Sequence, residues 1–227
     1  MPRWVWLWGP IALLLLIIAI IVYCPEPLMR ILINREGGLV ELGTPLLYVP
    51  AVIAGLFCIK HLKKLPAKWL MVWVMLVTAA GFYIAGEEIS WGQQIFYWQT
   101  PEYMQEINDQ GETNLHNTSS WFDQKPRIML ELWTLIGGIL FPLYLVFSKT
   151  RYSDNNWRYW FWPGLVCTPS AFIAITVKFP ERFRSFFHGH LPYHLHIRYS
   201  EIQELFFAYF IMVYLLAMYE KLAASNR

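Results

Sequence analysis

The sequence predicts an all-α, polytopic membrane protein. It has six transmembrane helices, N- and C-termini on the cytoplasmic side, and a long outer loop carrying a short interfacial helix. Three observations lead there. The 227 residues are 56% hydrophobic and only 15% charged, against about 25% charged in soluble domains, and the mean hydropathy is +0.35. The apolar residues gather in six runs, each near the roughly 20 residues a helix needs to cross the hydrocarbon core. The alternating strands of about ten residues that mark a transmembrane barrel are absent. The same composition, with a net charge of only +2, excludes a disordered chain and a nucleic-acid partner.

The runs are 5–23, 42–59, 69–86, 128–148, 160–179 and 202–219, and together they form a single transmembrane domain over 1–227. Arg3 gives the first run the positive start of a signal peptide. Its apolar stretch is long and no A-x-A site follows, so it is read as a retained helix. With the N-terminus inside, ten of the 18 basic residues fall in inner segments, the sign expected of cytoplasmic loops. Of the 16 acids, 14 fall outside, leaving Asp154 and Glu220 inside. Cys24 lies at the opposite end from Cys58 and Cys167, about 30 Å of hydrocarbon away, so no disulfide is expected.

The outer loop, 87–127, is far longer than the roughly 2–8 residues usual between bundled helices. Thr100-Pro101-Glu102 reads as a helix start, with Thr100 as N-cap and Pro101 in the first position. An interfacial helix over 101–109 follows, with Tyr103, Met104 and Ile107 on one face, and Gln110-Gly111 ends it. Burial of that face would fold the loop back over the outer helix ends. Trp91, Tyr97, Trp98, Trp121 and Phe122 fit an interfacial aromatic belt.

Helix periodicity places the acids. Gly81, Ala85 and Glu88 share a face, so Glu88 points into the bundle and Glu87 lies roughly sideways. By the same test Glu41 shares a face with Thr44, Pro45 and Tyr48. Glu131 shares one with Leu135 and Gly138, Lys178 with Ala171 and Ala174, and Glu204 with Glu201 and Ala208. Ionisable groups within membrane helices face a bundle interior or a wet cavity. All of these lie in the outer third, so an outward-facing polar pocket is the common destination. There Glu41, Glu88, Glu131 and Glu204 face one lysine, Lys178, and protons, a divalent metal ion or a cationic substrate group would balance them. Ser200 and Gln203 have capping-box spacing, which would leave Glu201 to complement the helix dipole.

The catalytic candidates are therefore Glu88, Glu87, His116 and Glu204. Gln93, Asn114, Asn117, Glu131, Lys178 and Glu41 are supporting or substrate-binding candidates. His190 and His194 are candidate metal ligands, from a segment holding four of the six histidines. Carboxylate with imidazole suits Zn, Fe or Mn.

The block Gly86-Glu87-Glu88-Ile89-Ser90-Trp91-Gly92-Gln93, followed by Thr100-Pro101-Glu102 and Asn114-Leu115-His116-Asn117, resembles a family of bacterial integral membrane proteins with no assigned activity. The resemblance implies a multi-pass location in a bacterial cytoplasmic membrane. Glu87-x-x-Ser90 and His190-x3-His194 are also similar to patterns of the CREST hydrolases, which include alkaline ceramidases. Here no Phe-His follows the serine, and six helices stand in place of seven.

Three function classes fit. One is a metal-assisted enzyme acting on a lipid or lipid-linked substrate at the outer leaflet, with Glu88 or Glu87 as base beside an activated water. The second is a structural or assembly subunit of a membrane complex, for which 12 Trp, 13 Tyr and 15 Phe supply contact surface. The third is a transporter or channel, against which stand the apolar inner halves of the helices. Membrane lipids are the expected partners, with other membrane subunits under the second reading.

Overall fold

A computed structural model describes residues 1–34, 38–108, 110–115, 118–187 and 195–225. Among them there is no strand, and six helices are long and apolar enough to cross a membrane, the architecture of a multi-pass membrane protein. The first span is Trp4–Tyr23 and the third is Lys68–Glu88. The second is the helix Leu39–Ile59. The fourth runs through Ser120–Leu135, a π-helical turn Ile136–Leu140 and Phe141–Ser148. The fifth occupies Trp157–Phe183 and the sixth Tyr199–Ala224.

The sixth span is the hub. Its membrane window is 78% buried, against 17–39% for the other five. It packs on the second, third, fourth and fifth spans. Phe206, Phe207, Phe210, Leu215 and Leu222 fill the centre and are all but inaccessible. Water-driven burial is weak inside a bilayer, so close backbone approach at small residues carries much of the packing. Gly138 shows it: a Cβ there would sit 2.5 Å from Ala171 and 2.8 Å from Phe210. Gly138→Ala is therefore expected to cost about 2 kcal/mol in detergent unfolding. Gly164→Ala, whose Cβ meets nothing within 4 Å, should leave the transition unmoved.

Both chain ends meet at one face. The N-terminal amine donates to Glu220 at 2.6 Å. Lys64 Nζ, from the connection between the second and third spans, donates to the carbonyls of Leu222 at 2.9 Å and Ser225 at 2.8 Å. Glu88, Glu201 and Glu204 lie at the other face, called the far face below.

The fifth span departs from the expected continuous helix over 160–179. A first turn, Trp157–Phe161, ends at Trp162, whose ψ is 136°. A 3-10 turn, Leu165–Cys167, and the helix Thr168–Thr176 resume the span. Pro163 explains the break: its ring disfavours helical backbone at the preceding residue, and it has no N–H to donate. On the far face the segment after the first span is partly helical, Glu26–Met29 and Arg30–Asn34. The second span starts at Leu39 rather than 42. The fourth starts at Ser120, with Ser119 Oγ capping the N–H of Trp121. The interfacial helix is Glu102–Ile107 with Pro101 at its N-cap; Asp109 lies outside the described residues. Only Met104 of its expected apolar face is buried, while Tyr103 and Ile107 are exposed.

Candidate functional site

The far face carries two polar assemblies, built around the neighbours Glu88 and Glu87.

Glu88 ends the third span. The first two turns of the sixth span bring Glu201 and Glu204 beside it, and one oxygen from each of the three carboxylates lies within 4.8 Å of the others. Glu88 makes no hydrogen bond or ion pair among the described residues. The fully buried Tyr48 of the second span lies close enough to feel the charges of both Glu88 and Glu204. Gly81, two turns back from Glu88 on the same face, would place a Cβ 3.3 Å from the same ring, so the small residue lets the two spans close beneath the acids.

Arginines, not the expected lysine, answer these acids. Arg127 pairs with Glu204 and also donates to the carbonyl of Ser200 at 3.1 Å. Arg198 donates to Glu201 at 2.8 Å and lies 3.8 Å from Glu41. Arg182 pairs with Glu131. Lys178 makes no ion pair among the described residues. The substitution of partner is a matter of reach: Arg182 is one turn beyond Lys178, on the segment that leaves the membrane. A bidentate guanidinium also tolerates partial burial better than an ammonium. Asn34 holds Arg198 in place, accepting its backbone N–H at 3.1 Å and donating to His196 O at 3.1 Å. The expected capping box at Ser200 does not form. The sixth helix begins at Tyr199 with no side-chain cap, and Gln203 reaches across instead to donate to Ala174 O at 3.0 Å.

Glu87 is only 3% exposed, because the loop folds back on it. One carboxylate oxygen accepts Trp91 Nε1–H at 2.7 Å, and the other accepts the N–H of Leu115 at 2.7 Å. The sideways position that helix phase assigns to Glu87 is thus covered by chain from beyond the helix. Ser90 and Trp91 turn the chain with φ of 47° and 56°, a left-handed backbone that costs about 1 kcal/mol or more per residue. Ser90 Oγ donates to Glu112 at 2.6 Å, and Asn114 Nδ2 donates to the same carboxylate at 2.7 Å. Gln93 uses both ends of its amide. It accepts from Thr113 N–H and O–H, each at 2.7 Å, and donates to Thr100 Oγ1 at 2.6 Å. Asn108 donates to the Asn114 side chain at 2.8 Å. Thr100, expected to cap the interfacial helix, donates to Gly111 O at 2.6 Å.

The structure therefore separates the candidates. Glu88, Glu204 and Glu41 belong to the carboxylate–arginine assembly, Glu131 to a neighbouring pair, and Glu87, Gln93 and Asn114 to the loop brace. His116, Asn117, His190 and His194 lie outside the described residues. Sequence reasoning misses Glu201 as a member of the acidic group, and Arg127, Arg182 and Arg198 as its partners. The signal was available: all three arginines sit within two turns of an outer helix end. The carboxylates offer hard oxygen ligands, which suit Mg, Ca or Mn when no imidazole or thiolate joins them.

Compared with family models, curated proteins and solved structures, the chain gives no match.

Proposed function

We propose that the protein is a metal-assisted enzyme of a bacterial cytoplasmic membrane, acting on a lipid or lipid-linked substrate at the outer leaflet. The reaction centre in this reading is the group Glu88, Glu201 and Glu204. One observation carries it: three carboxylates from two spans converge within 4.8 Å. Counting Glu41, four carboxylates meet two guanidiniums, Arg127 and Arg198. Among the described residues these carboxylates outnumber the guanidiniums, an imbalance that a divalent cation would reduce.

Each residue then has a task. Glu201 and Glu204, each also paired with an arginine, would help hold the ion. Glu88, which has no hydrogen-bond or ion-pair partner among the described residues, would complete the ligand set and serve as the base, while the ion would supply the acidity of a bound water. The positive bias of the segments on the chain-end face supports an inside location for both termini, and the Gly86–Gln93 block supports a bacterial membrane.

The test is direct. Chelator-stripped protein in non-ionic detergent should take up about one Mn²⁺ per chain, with a rise in melting temperature, since an ion bound only by the folded state stabilises it. Incubation with membrane lipid extract should then show a lipid species consumed by the wild type and untouched by Glu88→Gln. Failure of the protein to bind Mn²⁺, Mg²⁺ or Ca²⁺ at millimolar concentration would sink the reading. Phe96, Tyr97, Tyr103 and Trp121 are 66–85% exposed on the far-face segments, which favours the assembly-subunit reading in that event.

A further inference from the structure

We infer that the chain-end face holds a binding site for one anionic phospholipid, in the groove between the fourth and fifth spans. The groove encloses about 690 Å³. The break of the fifth span at Trp162–Gly164 forms one wall of the groove. Phe141, Leu145 and Val146 of the fourth span and Leu165 of the fifth give it apolar walls inside the membrane. Beyond the end of the fourth span the lining becomes basic, with Lys149, Arg151 and Arg158.

Those three cations make no ion pair with a carboxylate among the described residues, and all three are exposed. The Arg158 guanidinium lies 4.7 Å from the Trp157 ring, which orients it without neutralising it. A fourth lining cation, Lys221, is already engaged: it donates to Tyr159 O at 2.8 Å and sits 4.4 Å over that ring. Asp154 is the single acid in the connecting segment 149–158.

Charge and depth together select the ligand. The polarity grades from hydrocarbon to cation along the bundle axis, as it does along a phospholipid from acyl chain to phosphate. A soluble anion would use the three cations and leave the aromatic and aliphatic walls wet. A zwitterionic lipid would fill the walls and bring a second positive charge to the basic end. Basic recesses between helices at a membrane surface favour anionic headgroups for this reason.

Native mass spectrometry of the full chain in non-ionic detergent, titrated with phosphatidylglycerol or phosphatidylcholine of matched chains, tests the inference. Phosphatidylglycerol should bind at one copy and in preference. Each basic residue near an anionic surface contributes about fivefold, so Lys149→Gln/Arg151→Gln/Arg158→Gln should weaken it on the order of 100-fold. Gly164→Leu tests the walls without touching charge. Gly164 has ordinary extended backbone (φ −82°, ψ 175°) and open space around its Cβ, so the leucine enters the groove unstrained and should displace the lipid. If the triple variant does not fold, Gly164→Leu alone decides. Equal binding of the two lipids, a preference that survives in the triple variant, undiminished binding to Gly164→Leu, or displacement by glycerol 1-phosphate at equal concentration would each overturn it.

Discussion

Glu88→Gln should lower divalent-cation affinity on the order of 100-fold, about 2.7 kcal/mol, while leaving the protein folded. Glutamine keeps the shape and one carbonyl oxygen but deletes the charge. Among the described residues the deleted charge is the one with no arginine of its own, so no described partner is left unpaired. The fold should gain slightly, because one repulsion among three carboxylates within 4.8 Å disappears. Glu204→Gln should differ. It strands Arg127, whose guanidinium also holds Ser200 O at 3.1 Å, so both affinity and stability fall. Calorimetric titration with Mn²⁺ and thermal melting of the two variants separate these outcomes. Equal destabilisation by both would show that the carboxylates act as a structural girdle rather than as a ligand set.

Glu87→Ala should release the far-face loop. Two donors lose their acceptor at once, Trp91 Nε1–H and the N–H of Leu115. Each unsatisfied buried group costs about 1–3 kcal/mol. The left-handed turn at Ser90 and Trp91 also loses the anchor that offsets its strain. A combined cost near 3 kcal/mol raises the open population on the order of 100-fold. Limited proteolysis in detergent reads this as faster cleavage between Tyr103 and Leu115, with the spans intact. Glu87→Gln should fall between the two, since its carbonyl accepts one of the donors while its NH₂ faces the other. An unchanged cleavage rate in the alanine variant would mean that Gln93, Asn108 and Asn114 hold the loop unaided.

The spans were legible because a helix of about 20 apolar residues is a local property of the chain. The break in the fifth was not read, although Pro163-Gly164 marks it, because hydropathy continues straight through the pair. Helix phase put Glu88 on the face of Gly81, and that glycine packs against Tyr48. Phase gave no sign of what covers Glu87, whose partner Leu115 lies 28 residues away. The charge balance was misread for a related cause. Arg127, Arg182 and Arg198 were weighed only for membrane orientation, and which arginine meets Glu204 or Glu131 depends on where segments far apart in the chain return to one face. Local periodicity carries no information about such returns.

The burial of the sixth span bears on how the protein is made. Helices enter a membrane in the order they are synthesised, and the other five present 61–83% of their windows to the surroundings. Before the sixth emerges, the fifth can already pack on the first and the fourth. The second and third can already pair, because Gly55 lets Thr78 come into backbone-close contact. Until then the five earlier spans lack their most buried neighbour, and neither Glu201 nor Glu204 stands beside Glu88. That five-span state is the natural target of membrane quality control, and it lasts as long as translation takes to deliver the final helix.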